Sequence, residues 1–389
     1  MDYSKIMKHL LQLPSCTLIT TGRTGTDFLQ SLLDSHTEVL TFNGILWFHE
    51  FWETSKCVKS NRLIVDDIIV EFIGKNIHTI KSFYDFQERK DCLGINGNQS
   101  INIDADNFRN QASLLLSNVD INSKNVLIAI YGAYAICMGQ RLDKKRIIFH
   151  HIHHAEKLNK YLADFPDSKI ICMTRDPRAN FLSGIKHWQN FDIKTDHGDH
   201  LYYYINRIFI DAYVLSKYAN EYLVIRIEDL GDKKNIKELC KWLGILYEET
   251  LMHSTWGGMK WRGDRISGKK NEEIGWSKKI LNNNWENKLS TKDKYLFNFL
   301  LNSRLRFYNY EYEKIKIIDY FIIPIIILFP LHFERRFFSL SYIRNIFSSG
   351  RKIVLLKNIY SYFRRIRLFY HYYQKTIMNE KFYRNRLNI

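Results

Sequence analysis

Short apolar strands alternating with helical patterns predict an α/β protein. It is built on a central, mainly parallel sheet flanked by helices, with a basic, hydrophobic helical C-terminal extension. Three observations carry that expectation. Apolar runs at 17–21, 39–42, 146–149, 170–174 and 223–227 are too short for helices, and several of them lead into helical periodicity. The stretches between them are long enough for the crossovers that parallel strands require. Finally, residues 314–389 carry fifteen Lys/Arg against three Asp/Glu, so most of the net charge of +16 sits there and residues 1–313 are nearly balanced. The chain therefore reads as a domain over 1–313, with an acceptor-side insertion at 61–120, and a tail over 314–389.

The first strand, Thr17 to Thr21, runs into Gly22-Arg-Thr-Gly-Thr26. Two glycines allow a tight turn there. Phe28, Leu29, Leu32 and Leu33 then mark one face of a helix that Thr26 or Asp27 is placed to cap. Strand, glycine turn and helix in that order aim backbone N–H groups and a positive helix end at one spot, which suits phosphate. It is not a Walker A loop, since the terminal Lys-Ser/Thr is missing and Arg23 lies inside the turn.

After a second strand at 39–42 comes Gly44-Ile-Leu-Trp-Phe-His-Glu-Phe-Trp52. Residues 61–120 read as mixed helix and loop with a turn region at Gly94–Ser100, and are where acceptor-specific structure is expected. Val126–Met138 is apolar nearly all round and reads as a buried helix. A strand at 146–149 leads into His150-His-Ile-His-His154, then a helix from Ala155 to about Phe165. The strand at 170–174 ends at Arg175, with Pro177 near a helix start and a helical region reaching Tyr202, Tyr203 and Tyr204. After the strand at 223–227, Ile236, Leu239, Cys240 and Leu243 form a helix face closed by Gly244. In such sheets ligands bind beyond the carboxyl ends of the strands, where Arg23, the histidines and Arg175 all fall.

Two segments with that loop carry a family resemblance. Gly22-Arg-Thr-Gly-Thr26, Arg175-Asp-Pro-Arg-x-x-x-x-Ser183, and Arg226-Ile-Glu-Asp-Leu230 with Trp242-Leu-Gly244 together resemble the sulfotransferases that use 3′-phosphoadenosine 5′-phosphosulfate (PAPS). The match runs over roughly residues 15–310 and is nearest the carbohydrate-type and bacterial members. The resemblance implies a P-loop NTPase-like sulfotransferase fold, PAPS as donor and no required metal. It implies a 5′-phosphosulfate loop at Gly22, Arg23, Thr24, Gly25, Thr26 and Asp27, and a 3′-phosphate clamp at Arg175 and Ser183. It also implies a flexible segment over 255–270 that closes on the nucleotide, with Arg265, Lys269 or Lys270 touching the 3′-phosphate. Trp276 and Trp285 resemble the helix that follows.

The chemistry asks for a cation at the transferred group and a base for the acceptor proton. Arg23 suits the first role. For the second, histidine works near neutral pH: His153 lies at the family's spacing before the clamp arginine, His151 two residues earlier on the same face, and Glu50 is the rival. Against these stand plainer readings: a turn arginine, an Arg175–Asp176 ion pair, a helix serine bonding its own backbone, strand-end histidines with structural roles, and a histidine-based metal site lacking carboxylate or cysteine partners.

The six cysteines are scattered without zinc or redox spacing, as reduced core thiols are. Met1–Pro14 shows no secretory signal and no anchor of the Golgi kind, so a cytoplasmic enzyme, peripheral at the membrane's cytoplasmic face, is expected. Tyr320–Leu331 is strongly apolar but short of the roughly 20 residues a span needs, and Arg351–Tyr373 mixes cations with aromatics as interfacial helices do. A membrane surface is the expected partner of the tail, against a helical subdomain packed on the core, with no nucleic acid. The acceptor expected is a hydroxyl or amine of a glycan or glycolipid. Two other functions fit the same residues: a kinase or NTPase with a degenerate phosphate loop, and a catalytically silent membrane-bound nucleotide-binding module.

Overall fold

The computed structural model describes residues 2–20, 22–42, 44–60, 63–81, 93–191, 202, 205–209, 222–263 and 285–378. Five strands, β1 Ser15–Thr20, β2 Val39–Thr41, β3 Ile147–His154, β4 Lys169–Thr174 and β5 Tyr222–Arg226, form one sheet in the order β2-β3-β1-β4-β5. Every pairing in it is parallel. A separate antiparallel hairpin joins β6 Thr255–Trp256 to β7 Met259–Lys260. Among the described residues of the first 260, helices include α1 Tyr3–Leu11, α2 Thr26–Leu33, α3 Phe48–Thr54, α4 Lys56–Lys59, α5 Val65–Lys81, α6 Ala105–Leu116, α7 Ser123–Cys137, α8 Leu158–Asp164, α9 Pro177–Phe191 and α10 Lys233–Leu243. Those that follow include α11 Thr291–Leu300, α12 Asn302–Phe307, α13 Asp319–Ile327, α14 Leu340–Ser348 and α15 Lys352–Ile377.

β1 is the middle strand, and all six of its residues are buried, which is why it reads as an unbroken apolar and threonine run rather than an alternating one. The chain leaves β1 toward β2, returns through β3 and then crosses to β4. The carboxyl ends of β3, β1 and β4 therefore stand side by side at the switch in strand order, where such sheets bind ligands. The all-round apolar helix expected at 126–138 is α7, buried from Val126 to Ala135 and packed on α1, α6 and β2. Phe42 touches Tyr134 of α7 at 4.6 Å and Phe72 of α5 at 6.4 Å, and Phe72 stacks on Phe108 of α6 at 6.4 Å, which ties the insertion helices to this layer. In α10 the periodic face is buried, Asp232 caps the start, and Gly244 closes the end at φ 81.

Several expectations are corrected. The strand placed at 146–149 continues through the histidines to His154, so the cluster is part of the sheet and not a loop after it. The helix expected from Ala155 starts as a 3₁₀ turn, Ala155–Lys157, before α8. No side chain caps α2: its N-cap is Gly25 in the left-handed region at φ 89, and Thr26 is already helical. Of the segment expected to close on the nucleotide, residues 255–261 hold the β6–β7 hairpin, and 264–270 lie outside the described residues. Gly257 and Gly258, at φ 56 and 73, make the tight turn of the hairpin. Their N–H groups donate to the buried Asp34 carboxylate at 3.1 and 2.8 Å, at the end of α2 remote from the glycine turn. Arg265, Lys269, Lys270, Trp276, Tyr203 and Tyr204 lie outside the described residues. Trp285 stacks on the Arg178 guanidinium at 3.9 Å.

The tail is docked on the domain. Phe369 and Tyr372 of α15 pack on Phe209 at 5.4 and 4.5 Å, and Phe299 stacks on Tyr373. Pro324 sits inside α13. Its missing N–H leaves the Tyr320 carbonyl without its helical donor, and the Tyr373 hydroxyl donates there instead at 2.6 Å. The Tyr370 hydroxyl donates to Pro324 O at 2.8 Å. Arg365, fully buried, pairs with Glu334 at 3.0 Å and donates to Ile327 O at 2.6 Å. A proline-bearing helix this short depends on such tertiary donors. The outward side is different: Ile318, Phe321, Ile325 and Leu328 on α13, and Ile353, Leu356, Tyr360 and Phe363 on α15, are exposed at helical spacing. Among the described residues no helix is long and apolar enough to cross a membrane.

Candidate active site

The turn after β1 is held open from within. Gly22, Arg23 and Gly25 have φ of 91, 56 and 89°, all left-handed. Successive residues of this kind curl their N–H groups toward one point. The Thr24 hydroxyl bonds to Thr20, whose oxygen also receives the Gly22 N–H at 3.1 Å. A Cβ on Gly25 would come within 2.2 Å of Ile227 Cδ1, so glycine is required there on two counts. With no side chain on the N-cap, the first N–H groups of α2 face the turn.

Arg175 follows β4 directly. Its neighbour Asp176 is occupied elsewhere: Arg178 binds it twice, Nε to Oδ1 at 3.0 Å and Nη2 to Oδ2 at 2.7 Å. Arg178 also reaches Asn298 Oδ1 at 2.6 Å and the Glu311 carbonyl at 2.8 Å. The second arginine of Arg-Asp-Pro-Arg is thus structural, held bidentately by Asp176. Deep placement lowers the pKa of Arg175, Glu228 opposes this, and the charge of Arg23 lowers it further. The charges of Arg23 and Arg175 thus act on one another, less strongly than Glu228 acts on Arg175. Glu228 accepts the Asp176 N–H at 3.3 Å and the Tyr310 hydroxyl at 3.4 Å. Ser183 is half-buried two turns into α9.

At the end of β3 the register slips against β1: Leu18 pairs with His151 and Ile19 with His153, so Ile152 is extra. His153 has φ 71, in the left-handed region that residues with a Cβ seldom adopt. Its Nε2 lies 3.7 Å from the point a Cβ on Gly22 would occupy, which puts the ring over the glycine turn. Its Nδ1 is 3.2 Å from His151 Nε2. Burial, then His151, His154, Arg207 and Arg23, push its pKa well below the usual imidazole value. The ring is neutral at pH 7. His150 is structural, stacked on Tyr161 at 4.7 Å and bonded to the Tyr131 hydroxyl at 2.7 Å. His154 is bonded by Arg207 and its pKa falls to about 4, from burial first and Arg207 second.

Glu50 pairs with Lys157 at 2.9 Å. Lys157 in turn lies over the ring of Trp47 at 4.1 Å. Trp47, 49% exposed, stacks along His154 at 6.2 Å between centroids. The fold thus gathers Gly22–Asp27, Arg175 and the His151–His153 pair at neighbouring strand ends, with Glu50 and Trp47 beside His154. Among the described residues no three His, Cys, Asp or Glu side chains form a metal-holding group. Sequence reasoning missed Ile227, Glu228, Gln30 and Trp47. The Arg-Ile-Glu-Asp-Leu run was the available signal for the first two, and nothing local marked the others.

A parallel α/β sheet with a left-handed glycine turn at the carboxyl end of its central strand is the frame of the site. The family model described as "Sulfotransferase family" matches residues 17–249, and the chain belongs to that family, whose members are transferases. Two solved structures are similar at 16% identity and a TM-score of 0.37. The sulfotransferase domain of the Synechococcus PCC 7002 olefin synthase is covered over 88% of its length and 70% of this chain. The sulfotransferase domain of the curacin biosynthetic pathway is covered over 91%, with 72% of this chain. No curated protein matches.

Proposed function

We propose that this protein moves a sulfuryl group from PAPS to a hydroxyl or amine of a glycan or glycolipid, at the cytoplasmic face of a membrane. The observation that carries the reading is the meeting of two guanidiniums whose charges act on one another, Arg23 and Arg175, with a left-handed N–H turn and a neutral imidazole. Like charges held together favour an anion between them. A donor with phosphates at both its 3′ and 5′ ends fits that set, because each arginine can hold one end bidentately.

When bound, PAPS supplies an activated sulfuryl group on a phosphate leaving group. The N–H groups of Gly22–Asp27 and Arg23 hold the 5′ end and stabilise charge as it builds there. Arg175, with Ser183, holds the 3′-phosphate. His153 takes the acceptor's proton while that oxygen's bonding pair attacks sulfur, and the sulfur–phosphate oxygen bond breaks. His153 is favoured over Glu50 by position, since Nε2 overlooks the turn while Glu50 is paired with Lys157.

The exposed indole of Trp47 beside His154 suits the apolar face of a sugar ring. The exposed apolar stripes of α13 and α15 run among Lys314, Lys316, Lys352, Lys357 and Arg367, a pattern that suits an anionic lipid surface. The test is sulfate transfer from labelled PAPS to a panel of glycans and glycolipids. Transfer lost in Arg23→Ala and Arg175→Ala supports the reading. Magnesium-dependent ATP turnover, or donor binding with no transfer to any acceptor, would replace it with the kinase or the silent binding module.

A further inference from the structure

We propose that Gln30 fixes the proton positions of the His151–His153 pair, so that His153 meets the acceptor with a bare Nε2. Gln30 and His151 are positioning residues, and His153 alone touches the reacting atoms. The inference rests on the sulfotransferase reading for its kinetic consequence only.

Gln30 is buried on α2, and its Nε2 donates to the Phe42 carbonyl at 2.7 Å, with Gly44 O at 3.4 Å and Thr41 Oγ1 at 3.5 Å. Exchanging its nitrogen and oxygen would set oxygen against two carbonyls, so the orientation is fixed. Gln30 Oε1 then faces His151 Nδ1 at 2.9 Å. An amide oxygen only accepts, so the proton of His151 belongs on Nδ1. Asp27 Oδ1, 3.9 Å from the same nitrogen, favours that tautomer too. His151 Nε2 is left with a lone pair, 3.2 Å from His153 Nδ1. For that contact to be a hydrogen bond, His153 must carry its proton on Nδ1. A neutral imidazole has one N–H, so Nε2 is bare.

The surroundings keep it so. Among the described residues the charged and titratable groups acting on His153 are His151, His154, Arg207 and Arg23, none of which favours an imidazolium, and the ring is buried. The bulge at Ile152 and the left-handed φ of 71° at His153 hold the two rings in contact and Nε2 over Gly22. A left-handed residue kept at such a spot is consistent with a positional demand. On transfer, the acceptor's proton moves to Nε2, and its bonding pair stays on oxygen and goes to sulfur. The imidazolium still donates Nδ1–H to His151. Without Gln30 only Asp27, at 3.9 Å and beyond hydrogen-bond reach, would still favour Nδ1–H, so the Nε2–H form, which cannot accept a proton, would become populated.

The test is a ¹⁵N-histidine spectrum of the full chain, which reads tautomers without turnover. The expected result is neutral rings at 151 and 153, each protonated on Nδ1. Gln30→Met should make Nε2–H forms appear at both. It should lower kcat by roughly 10²-fold with unchanged affinity for adenosine 3′,5′-bisphosphate, and cause no further loss in a His153→Gln background. Nε2–H on His153 in the wild type, or tautomers unmoved in folded Gln30→Met, overturns the proposal. If Gln30→Met does not fold, the wild-type spectrum decides alone. Correct tautomers with no acceptor turned over would instead count against the sulfotransferase reading.

Discussion

Gly25→Ala is a severe test of the glycine turn because two costs fall on one methyl group. The residue sits at φ 89, and its new Cβ would stand 2.2 Å from Ile227 Cδ1 and 2.8 Å from Cγ1. Left-handed backbone costs a β-carbon about 1–2 kcal/mol. Forcing a methyl into a filled site costs about 1–3 kcal/mol more, and Ile227 is only 3% exposed, with little room to retreat. The sum, about 2–5 kcal/mol, is a large part of a domain's ordinary stability of about 5–15 kcal/mol. Urea unfolding should show that loss, and calorimetry should show weakened adenosine 3′,5′-bisphosphate binding, because the turn and the start of α2 move together. Ile227→Ala removes both clashing carbons, so the double variant should recover the steric part, with a coupling of about 1–3 kcal/mol. Additive effects, or a neutral Gly25→Ala, would refute the reasoning.

Arg178→Ala leaves Asp176 buried without its bidentate partner and should cost about 3–5 kcal/mol in denaturant unfolding, whereas Asp143→Ala, whose pair with Arg141 is exposed, should cost almost nothing. The pKa values of His150, His153 and His154 are lowered in the folded chain. The unfolded chain therefore binds more protons below its imidazole pKa of about 6.5. Stability should be flat above that pH and fall as pH drops below it, His154 ceasing to contribute at about 4; urea midpoints across pH check this. Removing the Arg207 cation should raise the pKa of His153 and move the acid limb of the kcat/KM profile upward in Arg207→Ala. Leu340, 82% exposed, and Ile353, 69% exposed, touch the core little, so Leu340→Asp with Ile353→Asp should abolish flotation with phosphatidylglycerol vesicles while leaving the unfolding midpoint unchanged.

Much of the sheet was readable because parallel strands buried on both faces leave uninterrupted apolar runs, as at Thr17 and Ile170. The α7 and α10 helices were readable for a similar reason, one from all-round apolarity and one from its stripe and closing Gly244. The histidine strand was misread because alternation stops meaning anything where polar side chains line a site and a bulge breaks the period. The cap of α2 was misplaced because Thr26 and Asp27 are good capping residues locally, yet the left-handed Gly25 takes the position. The hairpin at 255–261 was hidden because its anchor, Asp34, lies far away in the chain. Gln30 was invisible for the same reason: a glutamine on a helix says nothing until its amide is seen between a carbonyl and an imidazole. Which face of α15 packs inward depends on partners far away in the chain, Phe209 for Phe369 and Tyr372 and Phe299 for Tyr373.

The most direct test is calorimetric titration of the full chain with adenosine 3′,5′-bisphosphate, beside Arg23→Ala and Arg175→Ala. The wild type should bind one equivalent. Each variant should bind at least about tenfold more weakly, since each loses hydrogen bonds to a charged partner worth about 1.5–3 kcal/mol. Wild-type affinity in both folded variants, or no binding by the wild type, would contradict the convergence of the two arginines on one doubly phosphorylated ligand.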